Sequence, residues 1–125
     1  MKKEIYWRFL LNTDKKNKAE KFSKNILETM PNAKIVILEP YWKDKSLFNL
    51  EVRHDLVNII PDKVVFEVLE TISLISNSWS IDLPINFNIE EFDFSGVAID
   101  NLKWDYVSWT SFFLQDKDMP TTDVL

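Results

Sequence analysis

The longest regular alternation of apolar and polar positions in this chain covers residues 79–89. A period of two residues is that of a β-strand with one buried face. Glu90 and Glu91 interrupt the pattern, and the apolar positions resume one residue out of phase in residues 92–94. Such a phase shift predicts a turn or a β-bulge. Pro84 falls on the polar phase, which indicates an edge strand or a break between two shorter strands.

Three further strands are predicted in the first half of the chain. Residues 4–11 are rich in aromatic and aliphatic side chains that favour strands. Residues 33–42 form a continuous apolar run up to Pro40, which suits burial on both faces of a sheet. Residues 46–57 alternate instead, which predicts one buried face and one face in water. The buried side would carry Phe48, Leu50 and Val52, and the wet side Asn49, Glu51 and Arg53.

Two helices are predicted where apolar residues recur at spacings of three and four. The first follows Asp14, a residue type that suits the N-cap, and ends at Pro31. The second opens at Pro61 and ends within residues 76–78. Their apolar stripes are Ala19, Phe22, Ile26, Leu27 and Met30 in the first, and Val65, Val68, Leu69, Ile72 and Ile75 in the second.

The order of these elements predicts the fold class. Residues 92–99 and 102–114 read as two more strands that are joined by a turn at Asp100 and Asn101, and residues 116–125 read as a loose tail. Strand, helix, strand, strand, helix, strand is the split β-α-β or ferredoxin-like order. We therefore expect one α+β domain over residues 1–125, with an antiparallel sheet, two helices on one face and a C-terminal hairpin that extends the sheet.

Composition adds an electrical asymmetry to this plan. The chain has 125 residues, of which 46% are hydrophobic, and this is enough for one domain with its own core. The net charge is −5, but residues 1–66 carry 13 basic and 9 acidic side chains, whereas residues 67–125 carry 2 and 11. The second half therefore repels phosphate backbones and attracts cationic partners.

Missing residue types exclude several chemistries. The chain has no cysteine, so thiolate zinc sites and cysteine nucleophiles are excluded. Gly96 is the only glycine, which excludes the glycine-rich loops that cradle phosphates. His54 is the only histidine, so a multi-histidine metal site is impossible. Its neighbours Arg53 and Asp55 are typical of a strand edge, and a general-base role for His54 with a carboxylate stays an alternative.

The start of the chain and its acidic clusters lead to further expectations. The N-terminal residues lack a signal-peptide pattern, and no apolar run is long enough to cross a membrane, which predicts a cytoplasmic protein. Glu90, Glu91 and Asp93 do not follow a calcium-loop pattern, and Asp116 and Asp118 stand at the predicted tail, so neither a metal nor a cofactor is expected. The aromatic strands are acidic and lack an RNA-binding signature, so no nucleic acid is expected.

What the second half does offer is aromatic side chains interleaved with acids. In a strand, neighbouring residues point to opposite faces, so one face can be core while the other carries charge. Large aromatic residues within a rim of carboxylates are typical of a surface that binds a basic protein. The alternative is that these rings form the core of the C-terminal hairpin. The candidate partner-binding residues are Glu90, Glu91, Asp93, Asp100, Trp104, Asp105, Tyr106 and Trp109.

With this acidic and aromatic segment, residues 90–109, the chain resembles the immunity proteins of bacterial polymorphic toxin systems, including those of contact-dependent growth inhibition. The resemblance lies in size, acidity, absence of cysteine and richness in Asn, Lys, Trp and Phe. It implies a non-enzymatic cytoplasmic protein that binds a basic cognate toxin, for example a nuclease, and blocks it.

Two other functions remain open at this stage. One is a small hydrolase-like enzyme that uses His54 with a carboxylate. The other is an oligomeric structural or adaptor subunit that pairs through the strand near Pro84. The sequence leaves the oligomeric state undetermined.

Overall fold

The computed structural model describes residues 2–82 and 94–117, which form an α+β structure with a six-stranded antiparallel sheet and two helices. The α+β class and the antiparallel sheet that the sequence predicts are confirmed. None of the described helices is long and apolar enough to cross a membrane. In chain order the elements are β1 Lys3–Leu11, α1 Lys16–Thr29, β2 Ala33–Pro40, β3 Phe48–Asp55, α2 Pro61–Ser73, β4 Trp79–Asp82, β5 Ser95–Ala98 and β6 Val107–Asp116.

The strand order is β2-β3-β1-β6-β5-β4, with β1 between β3 and β6. A ferredoxin-like order would place the strand that follows the second helix beside β1. Here the chain passes from α2 to β4 at the sheet edge and returns through β5 to β6. The ten residues of β6 match the nine-residue β1, whereas β4 has four described residues. The strand order therefore differs from the predicted plan with its C-terminal hairpin.

One hydrophobic core lies between the helices and one face of the sheet. Alternate residues of β1 point into it, and the apolar stripes of both helices pack against them. Trp7 stands at its centre, with ring contacts to Phe9, Trp79 and Phe112. Both helices thus share one core. Its most buried large residues are Ile5, Trp7, Phe9, Leu11, Ile26, Met30, Leu50, Val52, Ile75, Phe94 and Phe112.

The two helix starts differ in how well the sequence predicts them. α2 begins at Pro61 as expected, because proline lacks the N–H that would be unsatisfied at this position. The N-cap prediction for α1 is wrong, since Lys15 rather than Asp14 occupies that position and has no side-chain cap. The hydroxyl of Thr13 instead accepts a hydrogen bond from the N–H of Lys15 at 3.1 Å.

The second predicted strand is the largest local correction. Burial on both faces was expected for it, but β2 is an edge strand whose side chains are half-buried or exposed. Ile35, for example, is 42% exposed. The register with β3 shifts between Ile35 and Ile37, which marks an irregularity typical of edge strands. A continuous apolar run does not distinguish such a strand from a central one.

The C-terminal strands agree with the sequence in part. β4 covers the first four residues of the long alternation, and the phase shift at Glu90 and Glu91 lies outside the described residues. The turn predicted after β5 is confirmed, because Asn101 has a φ of 55°, a left-handed value that Asn tolerates. Gly96 allows β5 to approach the core closely, since a Cβ there would lie 2.6 Å from Cε1 of Phe112.

Candidate functional site

The sheet has a second face, opposite to the one that packs against α1 and α2. Because side chains alternate along a strand, this face carries the residues of β1, β3 and β6 that do not enter the core. We call it the second sheet face. Its members in the described residues are Glu4, Tyr6, Arg8 and Leu10 of β1, Lys34, Ile37 and Glu39 of β2, Asn49, Glu51, Arg53 and Asp55 of β3, Trp109, Ser111, Phe113 and Gln115 of β6, Ser95 and Val97 of β5, and Ser80 and Asp82 of β4.

The pairing register arranges these side chains in two rows that cross five strands from β3 to β4. Neighbours in a row lie on adjacent strands, about 4.8 Å apart. The first row is Glu51, Arg8, Ser111, Val97 and Ser80, and the second is Arg53, Tyr6, Phe113, Ser95 and Asp82. The two rows have Glu51, Arg8 and Arg53 at the β3 and β1 end, and small or apolar residues with one acid, Asp82, at the β6 to β4 end.

Glu51 is the centre of one hydrogen-bond network in the charged half. Its carboxylate accepts hydrogen bonds from the hydroxyl of Tyr6, from Nδ2 of Asn49 at 2.8 Å and from Nη2 of Arg8 at 3.0 Å. Burial raises the pKa of Glu51, but the hydrogen bonds from Tyr6 and Asn49 and the charge of Arg8 outweigh it, and the pKa lies below its usual value. Burial and the Glu51 carboxylate raise the pKa of Tyr6.

Glu4 forms a second network and is 1% exposed. It accepts hydrogen bonds from Nε of Arg53 at 2.7 Å and from the side-chain amide of Gln115. Arg53 also donates to the carbonyl of Lys117 at 2.8 Å, and Lys117 pairs with Asp55 at 2.9 Å. The wet face predicted for β3 is therefore wrong, because Asn49 and Glu51 are buried and the charge of Glu51 is paired with that of Arg8.

The other half of the second sheet face is a shallow depression of about 500 Å³. Asp82 at its edge is exposed and makes no ion pair or hydrogen bond with the described residues. Phe113 and Val97 are 43% and 39% exposed. A carboxylate, hydroxyls and apolar rings therefore meet here in contact with solvent. The side chains that line it from the second sheet face are Ser80, Asp82, Ser95, Val97, Trp109, Ser111 and Phe113.

Two of the predicted anchors lie on the core side instead. Trp104 packs against Phe9 in a T-shaped arrangement, with 6.2 Å between ring centroids. Tyr106 stacks on Phe22 of α1, with centroids 4.0 Å apart and planes 5° apart. Both rings are half-buried against the core. Their positions agree with the alternative in which these aromatic residues belong to the core. Whether they also bind a partner is a separate prediction.

The remaining predicted residues are scattered. Asp100 and Asp105 are exposed in the connection between β5 and β6, at the end of the sheet where β4 begins. Glu90, Glu91 and Asp93 lie outside the described residues. Trp109 is half-buried and lines the depression.

The structure thus joins Trp109 to three residues that the sequence reasoning missed, Asp82, Val97 and Phe113. The signal for Phe113 was present in the sequence. Trp109, Ser111 and Phe113 have the period of two that places side chains on one face of a strand. The pairing of β6 with β5 and of β5 with β4, which brings Val97 and Asp82 to the same place, is not visible in any local pattern.

His54 lies on the core side of β3 and is 7% exposed. Its Nδ1 is 3.4 Å from Nε1 of Trp7, which donates to it. Burial lowers the pKa of His54, although the charges of Glu67 and Asp55 oppose this. Glu67 accepts hydrogen bonds from the N–H groups of Val57 and Asn58, at 2.9 Å each.

His54 is therefore packed into the core side of the sheet, and its neighbours take part in ion pairs. Arg53 and Asp55, which the sequence predicts at a strand edge, instead belong to β3, between β2 and β1, and both are ion-paired. Within residues 2–82 and 94–117, no three His, Asp or Glu side chains lie close enough together to hold a metal ion.

Comparison with known proteins yields no relative for this chain. It matches no protein family, no curated protein and no solved structure.

Proposed function

We propose that this chain is a non-enzymatic protein-binding domain, an immunity protein that binds and neutralises a basic toxin. The interface is the β4 to β6 half of the second sheet face. The observation that carries the proposal is the exposure of Phe113 and Val97 beside Asp82, whose charge no described residue compensates. Neither described helix covers this face.

The composition of this surface supports binding to a protein. Interfaces are anchored by a few aromatic side chains that lose water on binding, and charged groups at the rim guide the encounter. Phe113 and Trp109 are the anchors and Asp82 is a rim charge. The strands hold these side chains on a rigid frame, so little conformational entropy is lost on binding.

The charge of the second half supports a basic partner. Eleven acidic side chains in residues 67–125 face two basic ones. This field accelerates the approach of a cationic protein in a way that salt weakens. The protein acts in the cytoplasm in this proposal, and it needs no cofactor, membrane or nucleic acid.

The enzyme alternative finds less support. It depends on His54, whose ring is buried against Trp7 on the core side. A general base must reach the proton that it removes from a substrate. Most of the carboxylates near the centre of the sheet are engaged in ion pairs. The oligomer alternative concerns the strand near Pro84, which lies outside the described residues.

The test uses the purified product of the open reading frame beside the gene for this chain. We expect it to inhibit growth when expressed alone, and to form a complex with this protein that restores growth. Phe113→Ser and Asp82→Lys should each weaken binding about tenfold or more. Glu70→Lys reverses an exposed charge on α2, in the helix layer, and should leave the affinity within about twofold.

Association kinetics test the electrostatic part. Charge reversal at Glu91, Asp93 and Asp105 should slow association and reduce its dependence on salt without unfolding the protein. A neighbouring product that neither inhibits growth nor binds would overturn the proposal. Binding that Phe113→Ser and Asp82→Lys leave intact would move the interface away from this face.

A further inference from the structure

The depression on the second sheet face has the chemistry of a site for one particular side chain. We infer that it binds the guanidinium group of an arginine that a protein partner presents, an inference that rests on the function proposed above. The walls are a carboxylate on β4 and aromatic rings on β6, and small side chains separate them.

The register places the walls at a suitable distance. Asp82 pairs with Ser95, and Ser95 pairs with Phe113, so the carboxylate and the ring stand two strand spacings apart, about 10 Å at the backbone. Ser95 between them has a short side chain and leaves space above it. Ser80 and Ser111 keep the adjoining row low in the same way. A flat group can lie over these serines and touch both walls.

A guanidinium group fits these walls better than other cations. It is planar, it donates hydrogen bonds in a fork that matches a carboxylate, and it stacks on aromatic faces. Asp82 supplies the carboxylate, Phe113 and Trp109 supply the faces, and the serine hydroxyls accept the remaining N–H groups. An ammonium group is more strongly hydrated and cannot stack, so lysine should bind less well.

The cation that binds Asp82 must come from another molecule, because no described cation of this chain pairs with it. The carboxylates of Glu4, Glu51 and Asp55 already pair with cations of this chain. Arg8, the cation next to Ser111, is held by Glu51 at 3.0 Å and does not line the depression. Asp82 is left with no cation among the described residues, at the edge of a surface with exposed rings.

The experiment is a titration of the isotope-labelled protein, observed by NMR, with N-acetyl-arginine amide. Saturable shifts are expected at the amides of Ser80, Asp82, Ser95 and Ser111, with a dissociation constant on the order of 1–10 mM. The lysine analogue should bind several-fold more weakly, and the citrulline analogue, which has the same shape but no charge, should not bind.

Two variants and a control separate the contributions. Asp82→Asn should weaken arginine binding about tenfold, and Phe113→Leu should abolish the preference for arginine over lysine. Glu70→Gln, an exposed acid of α2, should change neither. Both replaced side chains are exposed, so each variant should fold, and an amide spectrum that matches the wild type outside the depression would verify this.

The outcomes are decisive in each direction. Absence of a saturable shift, or shifts that Asp82→Asn leaves unchanged, would overturn the inference. Equal binding of the arginine and lysine analogues would also overturn it, because only general attraction of cations by an acidic surface would then remain. Because the probe is a small molecule, failure of the arginine site is distinguishable from failure of the toxin proposal, in which the neighbouring gene product itself does not bind.

Discussion

Arg53 donates a hydrogen bond from Nε to Oε2 of Glu4 at 2.7 Å, diagonally between neighbouring strands of the sheet. Glu4 is 1% exposed, and the Arg53 side chain is 20% exposed. A buried ion pair contributes little net stability compared with apolar residues, but removal of one partner leaves the other desolvated without its counter-charge. The pair therefore holds β1 and β3 in a fixed relation.

Glu4→Ala tests this relation. We expect a loss of about 3 kcal/mol in the free energy of unfolding, at the lower end for buried pairs because Arg53 retains some contact with water. Urea denaturation measures the loss. Glu20→Ala, at an exposed position of α1, should cost no more than about 0.5 kcal/mol. A cost for Glu4→Ala as small as that of the control would contradict the structural role.

The titration of His54 is the second prediction. Burial lowers its pKa below the usual value of 6.5. A depressed pKa means that the unfolded chain binds the proton more readily, so the stability from neutral His54 is present above about pH 6.5 and is lost as the pH falls toward the folded value. His54 is the only histidine, so its NMR titration needs no assignment.

A matched variant separates His54 from the carboxylates. His54→Gln should flatten the decline in stability below pH 6.5 and leave binding of a basic partner intact, because the side chain lies on the core side. A midpoint at or above 6.5 would show that burial does not dominate the titration of the ring, and would bring the enzyme alternative forward.

Gly96→Ala is the third prediction. The added Cβ would lie 2.6 Å from Cε1 of Phe112 and 3.0 Å from the carbonyl oxygen of Ser80. Overpacking of this kind costs about 1–3 kcal/mol. Ser95→Ala in the same strand should change stability by less than about 0.5 kcal/mol. The double variant Gly96→Ala, Phe112→Leu should lose less stability than the sum of the two single variants, because the smaller side chain makes room for the added Cβ. If the two losses simply add, the strain of Gly96→Ala does not arise from contact with Phe112.

A contrast between two tryptophans is the fourth prediction. Trp104 packs on Phe9 in the core, so Trp104→Ala should lower the free energy of unfolding by at least about 2 kcal/mol. Trp109 lines the depression. Trp109→Ala should therefore lower the free energy of unfolding less than Trp104→Ala does, and should weaken binding of a basic partner more. Titration calorimetry at a temperature where both variants are folded measures the affinity for the partner without a contribution from unfolding. The reverse ranking would return the interface to the core-side aromatics that the sequence suggested.

The sequence was informative where one element determines the outcome. The apolar stripes of both helices were predictable because a 3.6-residue period depends on a single segment. The start of α2 followed from the backbone chemistry of Pro61. The strand order was not predictable, because β6 pairs with β1 from across the chain and local periodicity carries no information about partners.

The site shows the same division. A period of two assigns Asn49 and Glu51 to one face of β3, but it does not say whether water or a network of hydrogen bonds meets them. Asp82 was missed because it is one isolated acid in the sequence. Asp82 becomes a candidate binding residue only because strand pairing places Ser95 and Phe113 in the same row of the sheet.

The place of β6 beside β1 has a consequence for biosynthesis. The ion pair between Lys3 and Asp116 joins residues that are 113 positions apart. During translation, the edge of β1 that pairs with β6 stays exposed until β6 leaves the ribosome, and pairing over such a distance is slow. A nascent chain that stalls before β6 presents an apolar strand with unpaired backbone groups. Quality control by chaperones, rather than the stability of the finished fold, would then determine how much functional protein a cell obtains.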